Sequence, residues 1–358
     1  MASREDILAA LGRIVDPDSG KSVVEAGLIQ GLVLRDGHVG FALEVAAARG
    51  RGAEPLRKAA EDAVSALPGV LSVTAVLTAH SEPAPARHAP AQPTAGIAGV
   101  AAVIAVASGK GGVGKSTVAV NLALGLSKLG LKVGLLDADI YGPSVPRLLA
   151  ITEKPESDGH KLKPIENFGI KAMSMGFLVK EDEPMIWRGP MVQSALTQMM
   201  NDVAWAPLDV LVIDMPPGTG DAQLTIAQRL PLKGAVIVST PQDIALIDAR
   251  KGLAMFRKTQ VPILGIVENM SAFVCPQCGH ESHIFGHGGA RATALELGAP
   301  FLGEIPLVPS IRETSDAGTP IVAHMPDSRE AQSFLAIAAQ VAQKIALPQR
   351  PAPKIVIE

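Results

Sequence analysis

Cysteine is nearly absent from this 358-residue chain, occurring only as Cys275 and Cys278. A pair three residues apart closes almost no loop, which excludes a stabilising disulfide framework and directs attention to metal or redox chemistry. Long apolar runs are also missing. Residues 88–109 carry no Asp, Glu, Lys or Arg, but they open with His88, Pro90, Gln92 and Pro93, and the part from Thr94 to Gly109 falls short of the ~20 apolar residues that a membrane-spanning helix needs. The opening MASREDILAAL places charges where a secretory signal requires an uninterrupted apolar stretch, so a cytoplasmic location with no membrane partner is expected. Neither sign of charge dominates. With a net charge of -3, a pI near 6.3 and no long Lys/Arg run, the chain lacks the electrostatic footprint of a nucleic-acid binder. Charged residues make up only 19% and hydrophobic residues 47%, with a mean hydropathy of +0.27, which marks a packed chain rather than a disordered one.

The length implies two domains. Ser3 and Asp6 form a capping-box pattern, and Ile7, Leu8, Leu11, Ile14 and Val15 line one helical face until Asp16-Pro17 stops it. Leu28 to Leu34 and Val39 to Val45 read as strands joined by a hairpin turn at Asp36-Gly37. A helix follows from about Glu54 to Leu67, then a strand from Val70 to Leu77. Residues 1–79 are thus expected to be a small α+β domain of order α-β-β-α-β. Residues 80–99, carrying Pro83, Pro85, Pro90 and Pro93 among Ala, Ser and Gln, read as a linker. Over 100–347, strand-like runs at Ala102 to Ala107, Lys132 to Leu136, Val210 to Ile213, Ala235 to Val238 and Ile263 to Val267 alternate with helical patterns. That alternation predicts a doubly wound α/β domain with a mostly parallel sheet. The proline-containing tail, 348–358, is expected to be disordered.

Gly109-Lys110-Gly111-Gly112-Val113-Gly114-Lys115-Ser116 fits G-x-x-x-x-G-K-S/T, a loop whose backbone N–H groups surround phosphates at a helix N-terminus. Its context fits as well: the buried strand AAVIAVAS precedes it, and VAVNLALGLSKLG, read as an amphipathic helix, follows. Glycine allows close approach of backbone to phosphate. Lys115 would reach the β and γ phosphates, and the Ser116 hydroxyl would coordinate Mg²⁺. Asp214 ends the strand DVLVID at the ligand-binding edge of such a sheet and is a second candidate for the Mg²⁺ shell. The loop after it, Met215 to Asp221, is stiffened by Pro216 and Pro217 and freed by Gly218 and Gly220, which suits a sensor of the γ-phosphate. Asp137 and Asp139 follow KVGLLD; one can serve the metal while the other orients the attacking water, or either can cap the next turn.

The extra lysine of KGGVGKST, with DADIYGPS and DMPPGTGD, resembles the deviant Walker A ATPases that include MinD, ParA and nitrogenase iron protein. Within that group the chain is most similar to the Mrp/ApbC-type iron-sulfur cluster carriers. These share VENMS-x-F-x-C-P-x-C-G, found here from Val267 to Gly279, and the resemblance covers roughly residues 100–345. It implies that Lys110 crosses a homodimer interface to the partner's phosphates, Thr117 contacts the α-phosphate and Asp139 positions the water. It also implies that Asp137 and Asp214 serve the magnesium shell, Gly218 reports the γ-phosphate and Asn269 reads the adenine edge. The N-terminal segment IVDPDSGKSVVEAGLI is similar to the MIP18-type domain related to cluster assembly, yet no cysteine lies in it.

By spacing alone, Cys275-Pro-Gln-Cys278 supplies half of a four-ligand metal site. A twofold dimer can pool two such pairs around one cluster, or His280 and His283 can complete a zinc site within one chain. The resemblance favours a 4Fe-4S cluster between subunits, with His280, His283 and His287 as polar loop residues. Met173, Met175, Met185, Met191, Met199 and Met200 suggest an adaptable core or dimer surface, and Arg188 suggests a nucleotide contact, a dimer contact or a surface salt bridge. Three functions compete. The first is an ATP-hydrolysing cluster carrier that hands clusters from upstream scaffolds to apoproteins. The second is a MinD/ParA-like positioning ATPase with a structural zinc knuckle, which would need a membrane or DNA-binding surface that the helix from Ser328 to Ile345 does not supply. The third, an electron-donating ATPase like nitrogenase iron protein, would place its cysteines in separate loops.

Overall fold

A computed structural model describes residues 3–35, 38–46, 53–80, 96–159, 161–178 and 189–346. The Asp36-Gly37 turn, most of the 80–99 linker, Met185, Arg188 and the 348–358 tail lie outside these residues. The chain divides into two compact units, 1–92 and 93–358.

In the first unit, α1 (Arg4–Leu11) starts at a complete capping box: Ser3 Oγ accepts from the Asp6 N–H at 3.2 Å and Asp6 Oδ2 accepts from the Ser3 N–H at 2.8 Å. The helix is shorter than the apolar pattern predicts, because it caps at Gly12. Val15 instead bridges Ser22 and is 57% exposed. Local polar chemistry wins here: Asp16 accepts from the Ser19 N–H and hydroxyl and tightens a DPDSG turn. Strands β1 (Ile29–Arg35) and β2 (His38–Ala46) pair antiparallel, and after α2 (Glu54–Ser65), β3 (Ser72–His80) pairs parallel to β2. Ile7, Leu11, Phe41, Leu43, Leu56 and Val64 form this unit's core.

The second unit is a sheet with helices on its faces. Its chain order is β4 (Val100–Ser108), α3 (Lys115–Lys128), β5 (Val133–Asp137), α4 (Val145–Leu148), β6 (Ile165–Asn167), β7 (Ile170–Ser174), α5 (Gly189–Asn201) and β8 (Leu208–Asp214). It continues through α6 (Asp221–Arg229), β9 (Gly234–Ser239), α7 (Asp243–Lys258), β10 (Ile263–Val274), β11 (Glu281–Ser282), α8 (Gly289–Glu296), β12 (Phe301–Leu307), α9 (Pro309–Asp316), α10 (Ile321–His324) and α11 (Arg329–Ala346). Across the sheet the strands lie β12-β10-β9-β4-β8-β5-β7-β6. All neighbours are parallel except the β6–β7 pair at one edge and β11, which folds back on the end of β10. The five expected strands are therefore present in a parallel arrangement, joined by β6, β7, β11 and β12.

Helix α3 departs from the amphipathic reading. Its residues are buried without interruption from Val118 to Leu126, because the sheet covers one side and α10 and α11 the other. Two contacts fix it there. A Cβ on Gly125 would lie 2.7 Å from the Ala338 Cβ, so glycine allows α11 to approach closely. Buried Asn121 donates to the Thr117 carbonyl at 2.9 Å and accepts from the Val322 N–H at 3.1 Å, tying the first turn of α3 to α10. Met173, Met199 and Met200 are core residues, whereas Met191 is 45% exposed. Among the described residues no helix is long and apolar enough to cross a membrane.

Candidate functional site

The parallel order brings the carboxyl ends of β4, β5 and β8 together, with Val106 and Asp137 each in register with Asp214. From β4 the chain enters the 109–116 loop. Gly112 (φ +80°) and Gly114 (φ +79°) take left-handed conformations that disfavour side chains, and a Cβ on Gly114 would sit 2.2 Å from Asn269 Nδ2. Gly109 has a different reason to be glycine: a Cβ there would lie 2.1 Å from the Asp248 carbonyl carbon, so α7 packs on the root of the loop. Val113 is buried in the core, and its carbonyl accepts from Asn269 Nδ2 at 2.8 Å. Asn269 is therefore a brace of the loop. Met270 follows it with φ +58°, a strained value for that side chain, where the pairing of β10 with β12 shifts register between Asn269 and Phe273.

Lys115 is 6% exposed and pairs with fully buried Asp214 at 2.5 Å, while also donating to Ser116 Oγ at 3.2 Å. Asp214 Oδ2 has no partner among the described residues, an acceptor suited to a cation or to a water bound on one. Asp137 is held by the Asp139 and Val145 N–H groups and by the Ser174 hydroxyl, each at 3.1 Å. Even so, burial first and the Asp214 charge second push its carboxyl up to about 7, against the pull of those N–H donors and Lys115. Asp139 is also raised, chiefly by burial, with Lys115 pulling down and Asp214 pushing up. A carboxylate raised in this way is a stronger base than an ordinary aspartate.

A testable consequence follows from Asp137. A buried acid whose folded-state pKa lies above its unfolded value of 3.8 binds the proton more tightly in the folded state. Its contribution to stability is complete below about pH 4 and is lost as pH rises to about 7. Metal-free Asp137→Asn, which stays neutral, is expected to show a flatter stability profile than wild type across that window. Urea midpoints at pH 5 and pH 7.5 in chelator check this; parallel profiles would contradict it.

Lys110, Lys115, Ser116, Thr117, Asp139 and Ser144 line one cavity of about 280 Å³. Gly114 and Thr117 also line a second, of about 410 Å³, whose walls include Asn269, Met270, Leu307 and Ile311. Asp137 and Asp214 are buried and do not line the first cavity, and the Gly218 N–H donates at 3.0 Å to the carbonyl of Ser108, which does. Lys110 lines the cavity of its own chain.

Cys275 and Cys278 are free thiols in the loop that turns β10 into β11, with Cys278 exposed. The knuckle closes by the Cys275 N–H to the His280 carbonyl and the Gly279 N–H to the Cys275 carbonyl, both 2.9 Å. N–H donors from Cys278 and Gln277, followed by the Cys278 thiol, lower the pKa of Cys275 and favour the thiolate that metals require. Among the described residues, neither cysteine belongs to a cluster of three or more potential metal ligands. His283 stacks on His287 with ring centroids 4.4 Å apart, and His287 meets Glu304 at 3.0 Å. Those two histidines are engaged with each other and with Glu304.

Sequence reasoning missed four side chains here. Ser174 supports Asp137, and Gln223 packs under the loop after β8. Glu268 receives the Gly288 and Ala290 N–H groups at the start of α8, and Glu304 receives Arg291 and His287. Only Glu268 carried a signal, as the charge that directly follows the apolar run Ile263–Val267.

A glycine loop between a buried strand and a helix, with lysine, serine and two strand-end aspartates around it on a doubly wound sheet, defines a P-loop NTPase. Residues 99–342 match the family described as NUBPL iron-transfer P-loop NTPase, and residues 4–76 match the family described as iron-sulfur cluster assembly protein. The chain belongs to the NUBPL iron-transfer P-loop NTPase family, with an iron-sulfur assembly domain in front. It is 44% identical, over 97% of its length and 99% of the relative's, to a Synechocystis iron-sulfur cluster carrier protein. It is 59% identical to an Arabidopsis thaliana iron-sulfur protein required for mitochondrial NADH dehydrogenase, over 66% of this chain and 76% of that one. A nucleotide-binding protein from Archaeoglobus fulgidus, solved in complex with ADP, superposes with a TM-score of 0.58 at 40% identity, covering 66% of this chain and 92% of that one.

Proposed function

We propose that the chain is a cytoplasmic, ATP-hydrolysing iron-sulfur cluster carrier that works as a homodimer. It would hold a labile 4Fe-4S cluster between two chains and deliver it to apoproteins. The observation that carries this reading is the knuckle: two free thiols, one of them exposed, which among the described residues belong to no cluster of three or more potential ligands. Four ligands then require a second copy. Exposed Ile244 and Ile247 at the start of α7, the helix packed on Gly109, offer apolar surface for that contact.

In the nucleotide reaction, Lys115 would exchange Asp214 for the β and γ phosphates, and Thr117 would bind the α-phosphate at the junction of the two cavities. Asn269 and the second cavity would take the adenosine. Ser116, Asp137 and Asp214 would hold magnesium, whose chemistry is to neutralise charge building on the phosphate oxygens. The orphan Asp214 Oδ2 fits that role. Asp139 would orient the attacking water, Lys110 would reach the partner's phosphates, and the Gly218 N–H would leave Ser108 for the γ-phosphate. The N-terminal unit, without cysteine, would recruit partners such as upstream scaffolds rather than bind metal.

The experiment is transfer. Anaerobically reconstituted protein mixed with an apo-ferredoxin is expected to yield holo-ferredoxin while the donor loses its visible absorption. Retention of a redox-cycling cluster with no holo-ferredoxin would favour an electron donor and overturn the carrier reading.

A further inference from the structure

The loop between β8 and α6 contains two prolines, so its backbone donors are the N–H groups of Met215, Gly218, Thr219 and Gly220 alone. Two of these are used on β4: Met215 donates to Val106 and Gly218 to Ser108, each at 3.0 Å. A third hold comes from behind. Gln223, 1% exposed, donates its Nε2 to the Pro216 carbonyl, and this fixes the orientation of its amide. Its Oε1 is buried with no partner among the described residues. A buried amide oxygen left unpaired is a penalised arrangement, and Gln223 is half-satisfied in this position of the loop.

The place of Gln223 on its helix shows where the missing donor lies. Gly220 is the N-cap of α6, which makes Gln223 the third residue of the first turn. A glutamine there ordinarily reaches back to accept from the N-cap N–H, one half of a capping box. That bond is not made here, because the loop is drawn toward Ser108 and the amide is turned to Pro216.

We propose that Gln223 is a positioning residue that holds the 215–220 loop in two alternative places. In one, seen here, Nε2 holds the Pro216 carbonyl while the Gly218 N–H rests on Ser108. In the other, the Gly218 N–H leaves Ser108 for a terminal phosphate, and the same movement brings the Gly220 N–H to Gln223 Oε1. The side chain thereby distinguishes a nucleoside triphosphate from a diphosphate without touching either. This inference rests on the reading of Gly218 as the γ-phosphate contact.

The test uses the full-length chain with magnesium and compares ADP with a non-hydrolysable ATP analogue by calorimetry. Gln223→Leu can neither donate nor accept; it is expected to weaken the analogue about tenfold and ADP by less than about twofold. Gln223→Glu keeps the acceptor, at a helix N-terminus that favours a carboxylate, and is expected to hold the analogue within about threefold of wild type. A merely structural role would lower both nucleotides together, along with the melting temperature, and would not separate Leu from Glu. Equal losses for the two nucleotides, no loss, or indistinguishable variants would overturn the proposal. Wild-type protein that binds neither nucleotide would overturn the phosphate-loop reading itself, a failure visible before any substitution is made.

Discussion

Lys115→Met is expected to slow ATP hydrolysis about 10²–10³-fold and to destabilise the second unit at the same time. Two separate physical causes operate. In the proposed reaction Lys115 faces the phosphates, and removing a charge aimed at a developing phosphate charge costs about 10²–10³ in rate. It is also the ion-pair partner of Asp214, which is fully buried and has one oxygen with no partner among the described residues. Leaving that carboxylate alone costs about 3–5 kcal/mol, since a buried charge without its partner keeps the whole desolvation penalty. The two effects separate in the double variant. Lys115→Met/Asp214→Asn removes both charges and is expected to recover most of the stability while hydrolysis stays slow. Chemical denaturation and phosphate release on the three proteins decide it; a single variant as stable as wild type would show that the pair contributes nothing.

Asp139→Asn is the second large effect, and it should fall on chemistry alone. Asp139 lines the cavity beside the 109–116 loop, with burial raising its pKa and the Gly142 and Tyr141 N–H groups as backbone donors. Asparagine keeps an oxygen for those donors but cannot take a proton or hold water as a carboxylate does. The turnover number is expected to fall about 10²–10⁴-fold, with ADP affinity unchanged within about threefold. A matching loss of ADP affinity would move Asp139 from the reaction to the binding of nucleotide.

Some of this architecture was legible from residues alone because several local signals agreed. The loop from Gly109 to Ser116 lies between an apolar β-branched run and a long apolar helix, and strand β8 ends on an aspartate, so β4, α3, β5 and β8 could be placed. Other elements hid for physical reasons. Strand β7 is five residues with Lys171 inside it, and β12 carries Gly303, Glu304 and Pro306, so neither shows a strand pattern. Strand β10 runs on to Val274 instead of ending near Val267, because Glu268, Asn269 and Ser271 are polar residues whose partners come from other segments: α8, the phosphate loop and β12. Burial of α3 on both sides depends on α10 and α11, about 200 residues further on. Within the site, the residue types were readable but not their second duties. Gly109 serves packing against α7, Asn269 braces Val113, and Gln223 depends on a turn that sequence does not locate.

The carrier reading requires two chains to share one cluster through four cysteines. Iron, sulfide and zinc content, read with the absorption spectrum and the molecular mass after anaerobic reconstitution, tests it most directly when wild type is compared with Cys275→Ala/Cys278→Ala. Wild type is expected to hold about four iron and four sulfide per two chains, and the variant to lose both. One zinc per chain without iron would contradict it, making the knuckle a structural element of an ATPase that carries no cluster.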